Sequence, residues 1–297
     1  MSAAPSVSPE QITAAADVIA PFVRRTPIVK VPGSEIGIDA TVVLKLEYLQ
    51  HSGSFKGRGA THFVATQPIA DTGIRFEVPI GTHAVEGAFL RSHLPGSDVP
   101  VYLVDQPRYF DRPELYREGG RDYRDNCERF VFFCRAVMEG IRLLEMEVDL
   151  IHANDWQTAL SPAFQRIEYE NAPGYEHTAT LLTIPTMAYQ GQFWHWDMLL
   201  TGLDWKYFNW RQMEYHGDLN LLKTGIVFAD SLNTVSPTYA EVLHSSPVGC
   251  GLEGALTLRR KVLSGIINGV VYSIWYPEHD PHLAAVYTAA DWQAGKA

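Results

Sequence analysis

Two histidine–aspartate pairs, one lysine beside glycines and one glycine-rich run are the residues whose types and spacing offer chemistry in this chain. His152 and Asp155 stand three apart across a turn, and His195 and Asp197 flank Trp196, so each pair could be imagined on a metal ion. No ligand pair has a recognised zinc spacing, so both pairs read as polar groups at a strand end or in a loop rather than as metal ligands. Gly249-Cys250-Gly251-Leu252-Glu253-Gly254 matches G-x-G-x-x-G. It follows Ser245-Ser246-Pro247-Val248 rather than a clear strand, and no acid occupies the expected ribose position, so it reads as a glycine-rich loop and not as a dinucleotide site. Lys56, in Ser54-Phe55-Lys56-Gly57-Arg58-Gly59, sits at a strand-to-helix junction beside an aromatic. A partly desolvated lysine there can form a Schiff base, whereas a solvated lysine is only a surface charge. The tryptophan and tyrosine density from Trp194 to Tyr215 suits a sugar-stacking surface or a core.

The elements that must position these groups follow from periodicity. Ser8-Pro9-Glu10 reads as an N-cap, a proline at the first helical position and an early acid, and Ile12, Ala15, Val18, Ile19 and Phe22 recur at helical spacing. Val42, Leu44 and Leu46 alternate as in a strand, as do Ile74, Phe76, Val78 and Ile80. Ala88-Phe89-Leu90 and residues 99–104 are further apolar strand runs. Phe130, Phe133, Val137, Ile141 and Leu144 mark a long amphipathic helix. An apolar run then ends at His152, and Trp156 opens a helical pattern. Strands over residues 179–184 and 231–235 alternate with helices over 219–228 and 238–243. Alternation of this kind predicts an α/β fold with a Rossmann-like parallel sheet, in which the carboxyl end of a strand running into a helix is the lip of a ligand site. Asp149 to Pro162 is that stretch.

Composition bounds the function. The 297 residues, 46% of them apolar, hold one large or two ordinary domains. The chain carries 24 basic and 34 acidic residues without a basic stripe, which argues against nucleic acid as a partner. No apolar run is long enough to span a membrane and Met-Ser-Ala-Ala-Pro has no signal-peptide pattern, so a cytoplasmic protein with no membrane partner is expected. Three cysteines do not make a disulfide framework, and Cys127 and Cys134 read as packed thiols. Residues 1–73 are balanced in charge, with six basic and six acidic side chains, whereas all seven tryptophans lie beyond residue 155. This asymmetry predicts two segments.

Arg25-Thr26-Pro27, Leu44-Lys45-Leu46-Glu47-Tyr48-Leu49-Gln50 and Ser52-Gly53-Ser54-Phe55-Lys56-Gly57-Arg58-Gly59-Ala60 resemble the opening of pyridoxal-phosphate-dependent threonine dehydratases and serine racemases. The resemblance implies Lys56 as the lysine that binds pyridoxal phosphate (PLP), in a truncated segment over residues 1–73. The serine- and glycine-rich loops that hold the cofactor phosphate in that family do not follow.

Seven motifs from residue 74 onward resemble bacterial glycogen synthases and plant starch synthases. They are Tyr102-Leu103-Val104-Asp105, Tyr109-Phe110-Asp111-Arg112-Pro113, Asp122-Tyr123-Arg124-Asp125-Asn126, His152-Ala153-Asn154-Asp155-Trp156-Gln157-Thr158-Ala159, Ala188-Tyr189-Gln190-Gly191, Leu222-Lys223-Thr224-Gly225-Ile226 and Asn233-Thr234-Val235-Ser236-Pro237-Thr238-Tyr239. The resemblance implies the N-terminal half, residues 74–297, of a GT-B fold, in which two Rossmann-like domains face each other across a cleft. It implies transfer of glucose from ADP-glucose to an α-1,4-glucan with retention of configuration and with no cofactor. By the same resemblance Asp155 is the catalytic carboxylate and Trp156 lines the cleft, although Trp156 also reads as a helix-start core aromatic. Tyr189 and Gln190 border the cleft, and Asn268 adds a polar contact. Pro185 and Thr186 stand where the family carries histidine and asparagine, and Val271 where it carries aspartate. The chain also stops near the family's interdomain connection, so the second Rossmann domain is expected to be missing. Three functions are therefore expected in competition: a weakened or inactive glucosyltransferase, a PLP-dependent lyase, and a non-catalytic glucan-binding domain.

Overall fold

The computed structural model describes residues 8–32, 34, 41–46, 56–269, 276–280, 283 and 285–291. They belong to two compact units, Met1–Phe22 with Asn268–Ala297, and Val23–Ile267. In the first, helix α1 (Pro9–Ile19) starts as its sequence requires. The Ser8 hydroxyl accepts from the Gln11 N–H at 3.2 Å while the Gln11 side chain accepts from the Ser8 N–H at 2.8 Å, so two otherwise orphaned donors are satisfied. The periodic apolar positions formed the helix without all being covered, since Ile19 is buried while Ile12 and Val18 are exposed.

The second unit opens with an antiparallel pair, β1 (Ile28–Pro32) and β2 (Thr41–Lys45), and helix α2 (Lys56–Thr66). Three longer strands follow, β3 (Ala70–Ile80), β4 (His83–His93) and β5 (Pro100–Asp105), in a three-stranded antiparallel meander. These strands do not join the parallel sheet that alternation predicts. Gly81 and Thr82 alone link β3 to β4, and a connection that short can only reverse the chain, because a parallel pair needs a crossover of about a dozen residues. Residue 73 falls inside β3. A bulge between Asp71 and Arg75 absorbs Gly73 at φ 75°, with the Gly73 N–H on Asp71 Oδ1 at 2.8 Å and the Arg75 guanidinium forked onto the same carboxylate. The strand is paired with β4 on both sides of that bulge.

A short helix α3 (Pro107–Phe110) and a small hairpin, β6 (Arg117–Glu118) with β7 (Arg121–Asp122), lead into α4 (Asn126–Leu143). The face of α4 that carries Phe132 meets the meander, where Phe76 stacks on Phe89 at 4.5 Å and lies 5.8 Å from Phe132. Gly140 is needed there, because a Cβ would stand 2.9 Å from the Phe89 ring.

The parallel sheet comes next. β8 (Leu150–Asn154) is followed by α5 (Ser161–Phe164) and β9 (Ala179–Ile184). The chain then makes an aromatic excursion through β10 (Gln192–Phe193), α6 (Met198–Thr201), β11 (Glu214–Tyr215) and β12 (Asp218–Asn220). Helix α7 (Leu221–Phe228), β13 (Ser231–Thr234), α8 (Pro237–Val242), α9 (Glu253–Arg259) and β14 (Leu263–Gly265) complete the unit. The strands lie in the order β14-β13-β9-β8, every neighbouring pair parallel. From residue 150 onward the expected α/β alternation is the architecture. Leu182, Ile184 and Leu232 of the sheet and Leu160, Phe164, Leu222 and Ile226 of the covering segments are fully buried, each worth about 2 kcal/mol relative to exposure.

One ion pair ties the layers. Arg135 of α4, with a side chain only 6% exposed, forks onto Glu168 at 3.0 Å through both terminal nitrogens, donates to the Thr201 carbonyl and lies 4.3 Å over the Phe164 ring. Arg135→Ala is expected to lower the unfolding free energy by about 2 kcal/mol, because it strands Glu168 and the Thr201 carbonyl. Arg135→Lys recovers only part of the loss, since an ammonium has no fork. Urea midpoints check both.

The buried acids of the core set a second expectation. Burial pushes the Cys127 thiol well up and the Cys134 thiol to about 11, and it raises the phenols of Tyr109, Tyr169 and Tyr175, helped at the first two by the carboxylates they donate to. The native state therefore keeps protons that the unfolded chain releases above the free thiol and phenol values of about 8.5 and 10. These contributions are fully present below those values, and stability is expected to fall as pH rises beyond about 8.5 toward the higher folded values. Denaturation midpoints taken from pH 7 to 11 test the sign.

Candidate functional site

The site is built around the carboxyl end of β8. Asp155, the residue after that strand, has φ 66° and ψ 179°, a backbone region that is essentially reserved for glycine and costs an L-residue about 1–3 kcal/mol. Its neighbours hold it there. The Asp155 N–H donates to the Thr183 carbonyl of β9 at 2.9 Å, and Asp155 Oδ1 accepts from the Trp156 N–H at 2.8 Å, capping the single helical turn Trp156–Thr158. The Thr158 hydroxyl closes the turn on the Asn154 carbonyl at 2.8 Å. A carboxylate is thereby fixed at a strand end with little rotational freedom.

Trp156 is 8% exposed. Its ring lies 4.8 Å from Phe130 of α4 in an edge contact, 6.0 Å from Tyr116 and 5.9 Å from Phe193 of β10. Gly191 closes the remaining side, at φ 62°, where a Cβ would stand 2.4 Å from the indole. Trp156 thus belongs to the packed wall behind Asp155. Tyr189, by contrast, is 58% exposed, with the Arg117 guanidinium 5.9 Å over its ring and that arginine paired to Asp122 at 2.7 Å. Tyr116 was not singled out by its sequence, which shows only a loop rich in aromatics and charge. Burial, with the nearby Asp155 charge, holds its phenol above the usual value.

Gln190 serves the loop that carries Tyr189. Its amide nitrogen donates to the carbonyls of Met187 at 3.2 Å and Cys250 at 3.0 Å, and its oxygen accepts from Asn220 at 2.8 Å. The first N–H groups of α7 complete the clamp, Leu221 on the Gly191 carbonyl and Leu222 on the Gln190 carbonyl, both at 3.0 Å. Lys223 is buried and its ammonium donates to the Trp210 carbonyl at 2.6 Å and the Glu214 carbonyl at 2.5 Å, while desolvation lowers its pKa. Gly225 lets α7 approach, since a Cβ would lie 2.8 Å from Ala159 Cβ and Leu182 Cδ2. The lysine-threonine-glycine motif is thus explained by packing.

A polar row crosses the same end of the sheet. His152 Nε2 lies 2.6 Å from the Thr183 hydroxyl, which in turn donates to Asn233 Oδ1. Pro185 follows β9 and supplies no side-chain donor, and the Thr186 hydroxyl accepts from the Ala188 N–H at 3.3 Å. Among the described residues no group of three or more histidine, cysteine or acidic side chains could hold a metal ion. In the glycine-rich run, Gly249 and Gly251 are required by contact, with the Leu243 carbonyl 2.5 Å and Tyr215 Oη 1.9 Å from where their Cβ atoms would be.

The larger unit therefore brings Asp155, Trp156, Tyr189 and Gln190 together. Asn268 belongs to the other unit. Lys56 is the first residue of α2, but its side chain and residues 47–55 before it lie outside the described residues, as does Val271. No observation among the described residues adds to its spacing as support for PLP.

Comparison with known proteins gives this arrangement relatives. The family described as the starch synthase catalytic domain matches residues 37–258, a span that begins upstream of residue 73. The glycogen synthase of Rhodopirellula baltica is 45% identical over 239 residues, 77% of this chain and 47% of that protein. That of Elusimicrobium minutum is 38% identical over 263 residues, 87% and 54% of the two chains. Among solved structures, the catalytic domain of starch synthase IV from Arabidopsis thaliana, bound to ADP and acarbose, superposes with a TM-score of 0.65 at 27% identity, over 77% of this chain and 46% of that one. The chain spans about half the length of the curated relatives it matches.

Gly191→Ala is expected to destabilise the protein by about 2 kcal/mol, through overpacking against Trp156 and the positive φ. Gly254→Ala, in α9 with open space at its Cβ, is expected to stabilise by about 0.5 kcal/mol. Chemical denaturation of the two variants checks the opposed signs.

Proposed function

Because the chain belongs to the starch synthase catalytic domain family, we propose that it supplies the acceptor-side half of a retaining glucosyltransferase, which moves glucose from ADP-glucose to the non-reducing end of an α-1,4-glucan. The observation that carries this reading is Asp155, a carboxylate held in a glycine-type backbone conformation at a strand's carboxyl end, with Tyr189 exposed on the adjoining loop. Support for the donor comes from the solved starch synthase IV domain, which is bound to ADP and acarbose.

Cleavage of a sugar–phosphate bond develops oxocarbenium-like positive charge on the sugar and negative charge on the leaving diphosphate. A carboxylate near the sugar stabilises the first, and one that is already oriented does so without reorganising during the reaction. Asp155 has that role. Tyr189 presents a ring face and a hydroxyl to the glucan end, and Gln190 and Trp156 keep that loop in place. The diphosphate needs cations and amides from a facing domain, so activity is expected when that half is supplied.

The test is transfer of radiolabelled glucose from ADP-glucose into glycogen, by the chain alone and with the C-terminal half of a related glycogen synthase added in trans. Transfer above a no-protein blank is expected in the second case, and Asp155→Asn should reduce it roughly a hundredfold. No incorporation under either condition defeats the reading. Pro185, which offers no donor where the family carries histidine, favours a second reading, glucan binding without turnover. Retention on glycogen with no transfer in trans would select it.

A further inference from the structure

Beyond the site, the aromatic excursion leaves a run of rings at the surface. Trp194, Trp196 and Trp205 are 61%, 49% and 41% exposed. Their ring centres follow one another at 6.5 Å from Trp194 to Trp196 and 5.5 Å from Trp196 to Trp205, and Phe208 continues the line 4.9 Å from Trp205. His195 lies 5.3 Å from both Trp194 and Trp196. Large rings do not stay exposed in a row without a reason, since apolar groups of this size contribute most when covered.

The strip is built to be stiff. The Trp194 carbonyl accepts from the Asp197 N–H at 2.9 Å, and the Asp204 carboxylate caps the turn that carries Trp205 by accepting from the Lys206 N–H at 2.8 Å. Lys223 anchors the Trp210 carbonyl from beneath, and Arg135 anchors that of Thr201. A partner therefore meets rings already ordered, with little entropy left to lose.

Chemistry and position select the partner. The rings are interleaved with hydrogen-bonding groups, His195 among them and the exposed Asp204–Lys206 pair at 3.8 Å beside them. Flat apolar faces edged by polar groups match a pyranose, which has C–H faces and a hydroxyl rim. A membrane surface is disfavoured, because the strip has no basic excess to attract anionic lipid. The strip is also continuous with the site along the chain: Phe193, which packs on Trp156 at 5.9 Å, precedes Trp194 directly, and Tyr189 lies on the loop that leads into β10.

We infer that Trp194, Trp196 and Trp205 form a docking strip for an α-1,4-glucan chain, outside the Asp155 site. The inference rests on the glucan acceptor assigned under the proposed function. It deepens that reading by giving the polymer a second hold, which keeps a long acceptor near the site between encounters.

Affinity electrophoresis of the full chain in gels containing glycogen tests it, with gels containing a soluble β-1,4-glucan as control. Glycogen is expected to retard the chain and the β-glucan is not. Trp196→Ala and Trp205→Ala should each weaken the apparent affinity about three- to tenfold, with circular dichroism and urea midpoints unchanged. Asp155→Asn should keep the retardation while losing transfer, so a chain that is retained but never transfers defeats the transferase reading and leaves the strip standing. The strip is overturned if the wild type is not retarded, if both tryptophan variants are retarded as strongly as the wild type, or if the β-glucan retards equally. It is likewise overturned if sedimentation shows that the variants only dissociate a self-associated form.

Discussion

The Trp156 indole is the contact on which the larger unit's site depends. It receives Phe130 from α4, Tyr116 from the loop before the small hairpin, Phe193 from the aromatic excursion and the bare backbone of Gly191. Few side chains other than tryptophan carry enough flat surface to meet four segments at once. Because those segments come from both sides of β8, the ring fixes the distance between the strand end that carries Asp155 and the loop that carries Tyr189. The backbone N–H of the same residue donates to the Asp155 carboxylate, so packing and capping share one turn.

That arrangement explains how Asp155 can occupy a strained backbone. A penalty of about 1–3 kcal/mol survives only where the surroundings leave no alternative, and here the Thr183 carbonyl, the capped turn and the buried indole leave none. The neighbouring polar groups are mostly committed inward. Gln190 spends its amide on three partners, Lys223 its ammonium on two carbonyls, and His152, Thr183 and Asn233 on one another. They hold the frame, while Tyr189, Trp194, Trp196 and Trp205 stand exposed.

Strong periodicity made much of this legible. The apolar spacing of α4, the alternation of Ile74, Phe76, Val78 and Ile80 in β3 and the serine and proline at the start of α1 each name their element, because burial or capping acts locally on those residues. Asp155 and Tyr189 were singled out only by the resemblance to glycogen and starch synthases. Tyr116 was not, since nothing local distinguishes it from its aromatic neighbours and only the fold brings it to Asp155. Nor could spacing separate Trp156 from Trp194 and Trp196. All are aromatics beside polar residues, yet the first is enclosed and the others are open.

By itself, then, the sequence determined the family, the α/β alternation from residue 150 onward and the local devices that start and stop its elements, because these depend on neighbours along the chain. Tertiary structure alone decided that β3, β4 and β5 form their own antiparallel layer, that β3 continues through a bulge past residue 73 and that Asn268 stands in a different unit from Asp155. It also decided which tryptophans are walls and which are surface. Those outcomes depend on which distant segments meet, and burial is a property of the meeting rather than of the residue.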